Sequence, residues 1–405
     1  MNQRPLTVAS RAQVPPFQVM DILARVAELR AAGRDVISLC AGEPSGGAPT
    51  GVSERAAAIH GSGVPLTYTP ALGIAELRNA IAGHYRRWYG LAMPTANVAV
   101  TTGSSGAFML VFLAAFNPGD RVALARPGYP AYRNILRAFG IEVVELDCGP
   151  ETRYQPTPRQ LDAATAEHGP LAGLMLASPA NPTGTMVSRG ELTDLTAWCS
   201  RNGVRLVSDE IYHGITYPAV GDPDPRGVCA WELDRSGVVI SSFSKYWGMT
   251  GWRLGWAVVP DDLLPAVDAL AGNVALCPPA PAQMAAVEAF TEDSYRQAQG
   301  FVDEFAVTRS VLLESLPQLG WGPAAPADGA FYLYADLGAA LAGFEDSTAY
   351  CAALLEEEGV ALVPGGDFDG AGGRRAVRLS FAAGREAVSE AVERIVRFQT
   401  VNRRV

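Results

Sequence analysis

The chain has 405 residues, 48% hydrophobic and 18% charged, which is enough apolar material for one large domain and a smaller one. A formal net charge of −10 argues against a general nucleic-acid binder. No apolar run reaches membrane-spanning length, and Met1-Asn2-Gln3-Arg4-Pro5 lacks the apolar core of a secretory signal. The six cysteines are scattered with no Cys-x-x-Cys pair, which reads as reduced, buried thiols. The four histidines are dispersed, so no metal constellation is expected. The expectation is a cytoplasmic enzyme.

In chain order, the Pro15-Pro16 break precedes Val19, Ile22, Leu23, Val26 and Leu29 at helical spacing, with Gly33 as a stop. Val36 to Pro44 reads as an apolar strand entering a glycine turn, and Gly42 there permits close backbone approach to a ligand. Tyr68-Thr69-Pro70 is a turn before an amphipathic helix. Val98 to Thr101 is a strand that passes through a small-residue turn into an apolar helix (Phe108 to Phe116). Successive N–H groups at such a helix start make an anion site. Arg121 to Ala125 is a buried strand, after which Pro127-Gly128-Tyr129-Pro130 turns the chain.

The strand Gly173 to Ala177 delivers the turn Asn181-Pro182-Thr183-Gly184. Val204 to Ser208 ends in Asp209, where an unpaired carboxylate would be expensive. Val238-Val239-Ile240-Ser241-Ser242 reads as a strand leading to Lys245 among aromatics and glycines, with Arg253 beyond. A lysine in such surroundings pairs, loses its proton or is covalently bound. After Pro260 the pattern turns helical, with proline breaks at 277–281 and a long helix expected from about Ala282. Strands follow near Phe331–Tyr334, Val363–Pro364 and Ala376–Ala382, the last with Arg378 in its apolar middle. Strands alternating with helices predict an α/β fold: a large domain with a mostly parallel sheet sandwiched by helices, plus a smaller α+β domain. The expected boundaries are an N-terminal arm and part of the small domain over 1–50, the large domain over 51–281 and the small domain over 282–405.

Tyr68-x-Pro70, Asn181-Pro182-Thr183-Gly184, Asp209-x-x-Tyr212, Ser242-x-x-Lys245 with Arg253, and Arg378 follow one another in a familiar order. The chain resembles the class I/II aminotransferase family of fold-type I pyridoxal-phosphate enzymes, aspartate aminotransferase-like, over nearly its whole length. The resemblance implies pyridoxal 5'-phosphate as cofactor, with Lys245 carrying it as an imine and moving the substrate proton. It implies a phosphate cup of Ser104, Ser105 and Gly106 with Ser242 and Arg253, and Tyr129 stacked on the pyridine ring. Asn181 and Tyr212 would meet the ring oxygen, and Asp209 the ring nitrogen. Arg378 and the Gly42 backbone would hold the substrate carboxylate, with Phe17 a further substrate contact. Tyr68 would reach the neighbour's cofactor phosphate, which implies a homodimer. The implied reaction is ping-pong transfer between an amino acid and a 2-oxo acid. A lyase on the same scaffold, such as a carbon–sulfur lyase, needs the same residues and is the alternative. Where the family has Asp-Phe after Glu43-Pro44, this chain has Ser45-Gly46, and Ser105 stands where aspartate-preferring members can carry a lysine. A neutral or aromatic substrate is therefore expected, with glutamate and 2-oxoglutarate as a second pair.

Overall fold

The computed structural model describes residues 6–44 and 46–402, so Ser45 lies outside the described residues. A short strand β1 (Ile37–Ser38) comes first. Then β2 (Val98–Thr101), β3 (Arg121–Arg126), β4 (Glu142–Asp147), β5 (Gly173–Ala177), β6 (Arg205–Asp209), β7 (Val238–Ser242) and β8 (Gly255–Val258) form a seven-stranded sheet. Its spatial order is β2-β8-β7-β6-β5-β3-β4. Only β8 runs antiparallel to its neighbours, β2 and β7; the remaining pairs are parallel. Buried on both faces, these strands are continuous apolar runs rather than alternating ones. Val239 joins one core with Leu174, Leu206 and Trp256, while Val238 and Ile240 join the other with Met175, Val207 and Ala257.

The C-terminal part adds β9 (Tyr332–Asp336), β10 (Val360–Ala361), β11 (Val363–Pro364) and β12 (Ala376–Ser380). β12 lies antiparallel between β11 and β9, and β1 pairs in parallel with β10, which ties the N-terminal segment to this part. The α/β architecture with a mostly parallel, helix-flanked sheet is as the alternation of elements implies. Among the described residues no helix is long and apolar enough to cross a membrane, and no group of potential metal ligands is gathered.

Two elements differ from expectation. The strand expected over Val36 to Pro44 is only two residues long, because the sheet edge it meets ends there. Leu39 makes the last contacts, donating to the Ala361 carbonyl and accepting from the Ser380 N–H. The helix expected from about Ala282 is instead a short helix Ala280–Ala286, a 3-10 turn Val287–Phe290 and a new 28-residue helix Glu292–Leu319. Thr291 restarts the helix by accepting from the Ser294 N–H, an N-cap that interrupts an otherwise apolar run. The N-terminal helix spans Gln18–Ala31, and Gly33 beyond it has φ +79°.

The topology brings the ends of β2, β5, β6 and β7 to one edge of the large sheet, the crevice side for ligands in such sheets. Gly255 fixes how closely the helix Gly103–Ala115 approaches that edge. A Cβ there would lie 2.8 Å from Gly103 C, Ser104 N and Ser241 O, all backbone atoms. Gly255→Ala should therefore destabilise the protein by about 1–3 kcal/mol, read from denaturant unfolding; an unchanged midpoint would show that the helix start can move.

Candidate active site

Most of the residues singled out by sequence face one cavity of about 380 Å³ at this sheet edge. Phe17, Gly42, Ser104, Ser105, Tyr129, Asn181, Asp209, Tyr212, Lys245, Arg253 and Arg378 all line it. Three others do not. Gly106 donates its N–H to the Thr102 carbonyl, because the helix already begins at Gly103 and Gly106 is its fourth residue. Ser242 is fully buried behind the wall, its hydroxyl donating to the Leu254 carbonyl (3.0 Å) and lying 2.8 Å from Ser244 Oγ, whose hydroxyl it can accept. The hydroxyl on the cavity side of that turn is Ser244's. Tyr68 is 81% exposed and away from the cavity of its own chain.

Lys245 follows β7, half-buried and facing the cavity, and donates from Nζ to the Gly42 carbonyl at 2.5 Å. Burial pushes its amine down to about 8, against the opposing pull of the nearby Glu43 carboxylate. Lys245 is also the only lysine in the sequence: of 32 Lys and Arg residues, all the others are arginine. That count is a signal available from sequence alone and independent of any motif. The loop that supplies the Gly42 carbonyl lies flat on the lysine turn. A Cβ on Gly248 would meet the Gly46 and Gly47 carbonyl oxygens at 2.7 Å, and one on Gly46 would strike the Phe301 ring. A side chain at Gly46 or Gly248 would lift the loop away, whereas a Cβ on Gly47 would meet nothing.

Asp209 ends β6 and is buried. Its Oδ2 accepts from the Tyr132 hydroxyl and its Oδ1 from the Ile211 N–H at 3.1 Å. Burial pushes its carboxyl up to about 6, with Tyr132 and Ile211 pulling it back. The Lys245 charge pulls the same way more weakly, without pairing with it, so this buried carboxylate held by two neutral donors still suits a cationic N–H on a bound ring. Opposite, Tyr129 presents its ring to the cavity; Phe17 stacks on it (centroids 6.0 Å apart, 13° between planes), and Tyr132 supports it edge-on at 5.3 Å. Burial raises the Tyr129 hydroxyl to about 12, so it stays protonated.

Ser104 and Ser105 open the helix Gly103–Ala115, whose N-cap, Thr102, makes no side-chain capping bond. Gly103 (φ +69°) lies so close to Arg253 that a Cβ would meet Nη2 at 2.7 Å. Helix N–H groups, two serine hydroxyls and one guanidinium thus converge on a cradle for a dianion. Arg378, in the middle of the wholly buried β12, donates from Nη1 to Asn181 Oδ1 (3.0 Å) and from Nη2 to the Cys40 carbonyl (2.7 Å). Its Nε is buried with no partner, the kind of vacancy a ligand carboxylate fills. The guanidinium is clamped between the rings of Tyr332 (4.5 Å) and Phe368 (5.0 Å). Tyr212 shares a 2.8 Å hydrogen bond with Tyr332.

The sequence reading missed Tyr132, Ser244 and Tyr332. Tyr132 and Tyr332 sit inside elements where a tyrosine is ordinary, and only pairing across the fold reveals their partners; Ser244 lies on the turn after β7, beside Ser242.

A ring with a cationic nitrogen, a phosphate and an aldehyde matches this donor set at Asp209, at the helix start with Arg253, and at Lys245. Pyridoxal phosphate therefore fits the residues present.

A family model described as Aminotransferase class I and II matches residues 34–395. The valine–pyruvate aminotransferase of Mycobacterium tuberculosis is 50% identical over 389 residues, covering 96% of this chain and 97% of its own. The aspartate aminotransferase of Bacillus subtilis is 33% identical, with 95% and 96% covered. Among solved structures, a crystal structure of an aminotransferase from Mycobacterium tuberculosis superposes with a TM-score of 0.92 at 49% identity, covering 98% of this chain and 100% of that one.

In the cofactor-free protein, reductive methylation of Lys245 by formaldehyde and a borane should accelerate with pH through a midpoint near 8, since only the neutral amine attacks. A midpoint at the ordinary lysine value of about 10.4 would show that burial does not control this amine. With no second lysine to interfere, the mass increment at residue 245 reads the reaction directly.

Proposed function

The chain belongs to the class I and II aminotransferase family and is a pyridoxal-phosphate-dependent amino acid:2-oxo acid aminotransferase, and on that footing we propose that its donor is an amino acid with an uncharged, branched aliphatic side chain. The observation that carries this reading is the cavity wall. Phe17, Val19, Met20 and Leu23 of the N-terminal segment and Ile135 are apolar. The two guanidinium groups on the wall already have work: Arg253 at the phosphate cradle and Arg378 at the α-carboxylate. A second carboxylate would find no further arginine there among the described residues. The similarity to the valine–pyruvate enzyme supports the same choice and suggests pyruvate as acceptor.

When bound, pyridoxal phosphate supplies an electron sink for the charge left as the α-proton departs. The protein's part follows from its own atoms. Arg378 offers Nε to the carboxylate while Asn181 and the Cys40 carbonyl hold its other nitrogens, fixing the fork. Lys245, with its amine near 8, is neutral often enough at physiological pH to accept the α-proton and return it as the acid. The Gly42 carbonyl orients that amine. Asp209 supplies the negative charge that keeps a ring nitrogen protonated, and Tyr129 with Phe17 keeps water off the ring face. Asn181 and Tyr212 serve the ring oxygen, and Ser104, Ser105 and Arg253 the phosphate; Ser244 joins them where Ser242 is turned inward.

The protein is proposed to act as a homodimer in the cytoplasm, with residues 1–50, 51–281 and 282–405 as arm, large domain and small domain. Tyr68, Leu66 and Val64 are exposed on one loop. Met109 and Leu113 are exposed on the helix packed against Leu264–Val274, which ends in the exposed Val274. Such apolar exposure suits a covered face.

In single-turnover mixing, valine, isoleucine or leucine should convert the cofactor to its amine form with one equivalent of oxo acid, at least about 100-fold faster than aspartate. Aspartate reacting as fast would overturn the substrate assignment, and Lys245→Ala should lose about 10²–10⁴-fold or more in rate. Sedimentation should give twice the 42.8 kDa chain mass, and Tyr68→Ala should weaken cofactor binding without changing that mass; a monomer with full cofactor affinity would exclude a shared site.

A further inference from the structure

Tyr332 opens β9, fully buried, and touches both halves of the site. In the β9–β12 register it pairs with Ser380, while Arg378 pairs with Tyr334. Tyr332 and Arg378 are thus diagonal neighbours on one face of the antiparallel pair, close enough for side chains to meet. The guanidinium carbon lies 4.5 Å from the Tyr332 ring centroid, with Phe368 as the second plate. The far end of the same ring carries a hydroxyl 2.8 Å from Tyr212 Oη. That hydroxyl also abuts the Gly42 loop, where a Cβ would lie 3.4 Å from it.

We infer that Tyr332 is a positioning residue that joins cofactor and substrate recognition: its hydroxyl sets Tyr212 against the cofactor ring oxygen, and its ring sets Arg378 against the substrate carboxylate. The inference rests on the roles proposed above for Tyr212 and Arg378. When Tyr212 donates to a ring oxygen, its own oxygen must accept in the Tyr212–Tyr332 pair, so Tyr332 is the donor there. A hydroxyl that accepts one hydrogen bond gives a stronger one. The ring oxygen's anionic form is then favoured, and the bound cofactor releases its proton at lower pH. The titratable and charged groups facing Tyr332 are Tyr212, Tyr129, Arg378 and Glu43, with Lys245 lying over the Tyr212 ring at 5.9 Å. The ring contributes separately, as a flat electron-rich plate that holds a desolvated guanidinium in one orientation.

The two halves separate by substitution in the holoenzyme. Tyr332→Phe keeps the ring and removes the hydroxyl; Tyr332→Leu removes both. The first readout is the pH midpoint of the bound cofactor's absorbance change. The second is the affinity for 3-methylbutanoate, a carboxylate with no amine to react. Tyr332→Phe should raise the midpoint by about half to one pH unit and leave carboxylate affinity within about twofold of wild type. Tyr332→Leu should raise the midpoint similarly and weaken the carboxylate by about threefold or more. Tyr212→Phe should raise the midpoint by itself, and adding Tyr332→Phe to it should move it no further, because the relay is already cut. A Tyr332→Phe midpoint equal to wild type, or a shift that adds fully to that of Tyr212→Phe, would overturn the hydroxyl's role. Unchanged carboxylate affinity in Tyr332→Leu would overturn the ring's. A wild-type protein showing neither a titrating cofactor band nor carboxylate binding would instead bring down the functional reading beneath, and this inference with it.

Discussion

The rest of the structure depends on one amine placed where protein, not bulk water, surrounds it. Taking the Lys245 amine out of water disfavours its charged form and brings its proton affinity down toward neutrality. To keep it there, β7 must end at the sheet edge, the Gly42 loop must lie close enough to accept its hydrogen bond, and Gly248 must let that loop settle. The short β1 matters for the same reason: pairing for only two residues with β10, it frees the chain early enough to cross the cavity as a loop.

Around the amine, charges and polar groups are divided between those already satisfied and those left open. Asn181 and the Cys40 carbonyl occupy two nitrogens of Arg378 and leave the third; two donors hold Asp209 and leave its charge. Burying such groups is destabilising unless something completes them. Cofactor and substrate are therefore part of the electrostatics of this interior, and the four sheet strands that end here supply a rigid frame for the arrangement.

Much of this was legible in the sequence because polar residues at the ends of apolar runs are conspicuous. Asp209 after Arg205–Ser208 and Lys245 after Val238–Ser242 declare themselves by their cost. The sheet was legible for the same reason, since doubly buried strands are continuous apolar runs. Tyr332 and Tyr132 were not: a tyrosine inside an apolar strand or helix reads as packing, and their partners lie 120 and 77 positions away in the chain. Gly106 was misplaced because the number of open N–H groups depends on the first helical residue, which local sequence specifies poorly. Ser242 and Ser244 are two residues apart on one turn, and which of them faces inward is decided by the Leu254 carbonyl, an acceptor supplied by the chain returning toward β8.

The solitary lysine reaches beyond the active site. Positive charge elsewhere in the chain is carried by guanidinium groups, which do not form isopeptide bonds. Any cellular tag that is attached through a lysine side chain has one address on this molecule, and that address is half-buried in the cavity. Cofactor in place would seal it. With the cofactor held on Lys245 as proposed, the loaded enzyme would be closed to lysine-directed tagging, and a chain that has lost its cofactor, or its fold, would offer the acceptor.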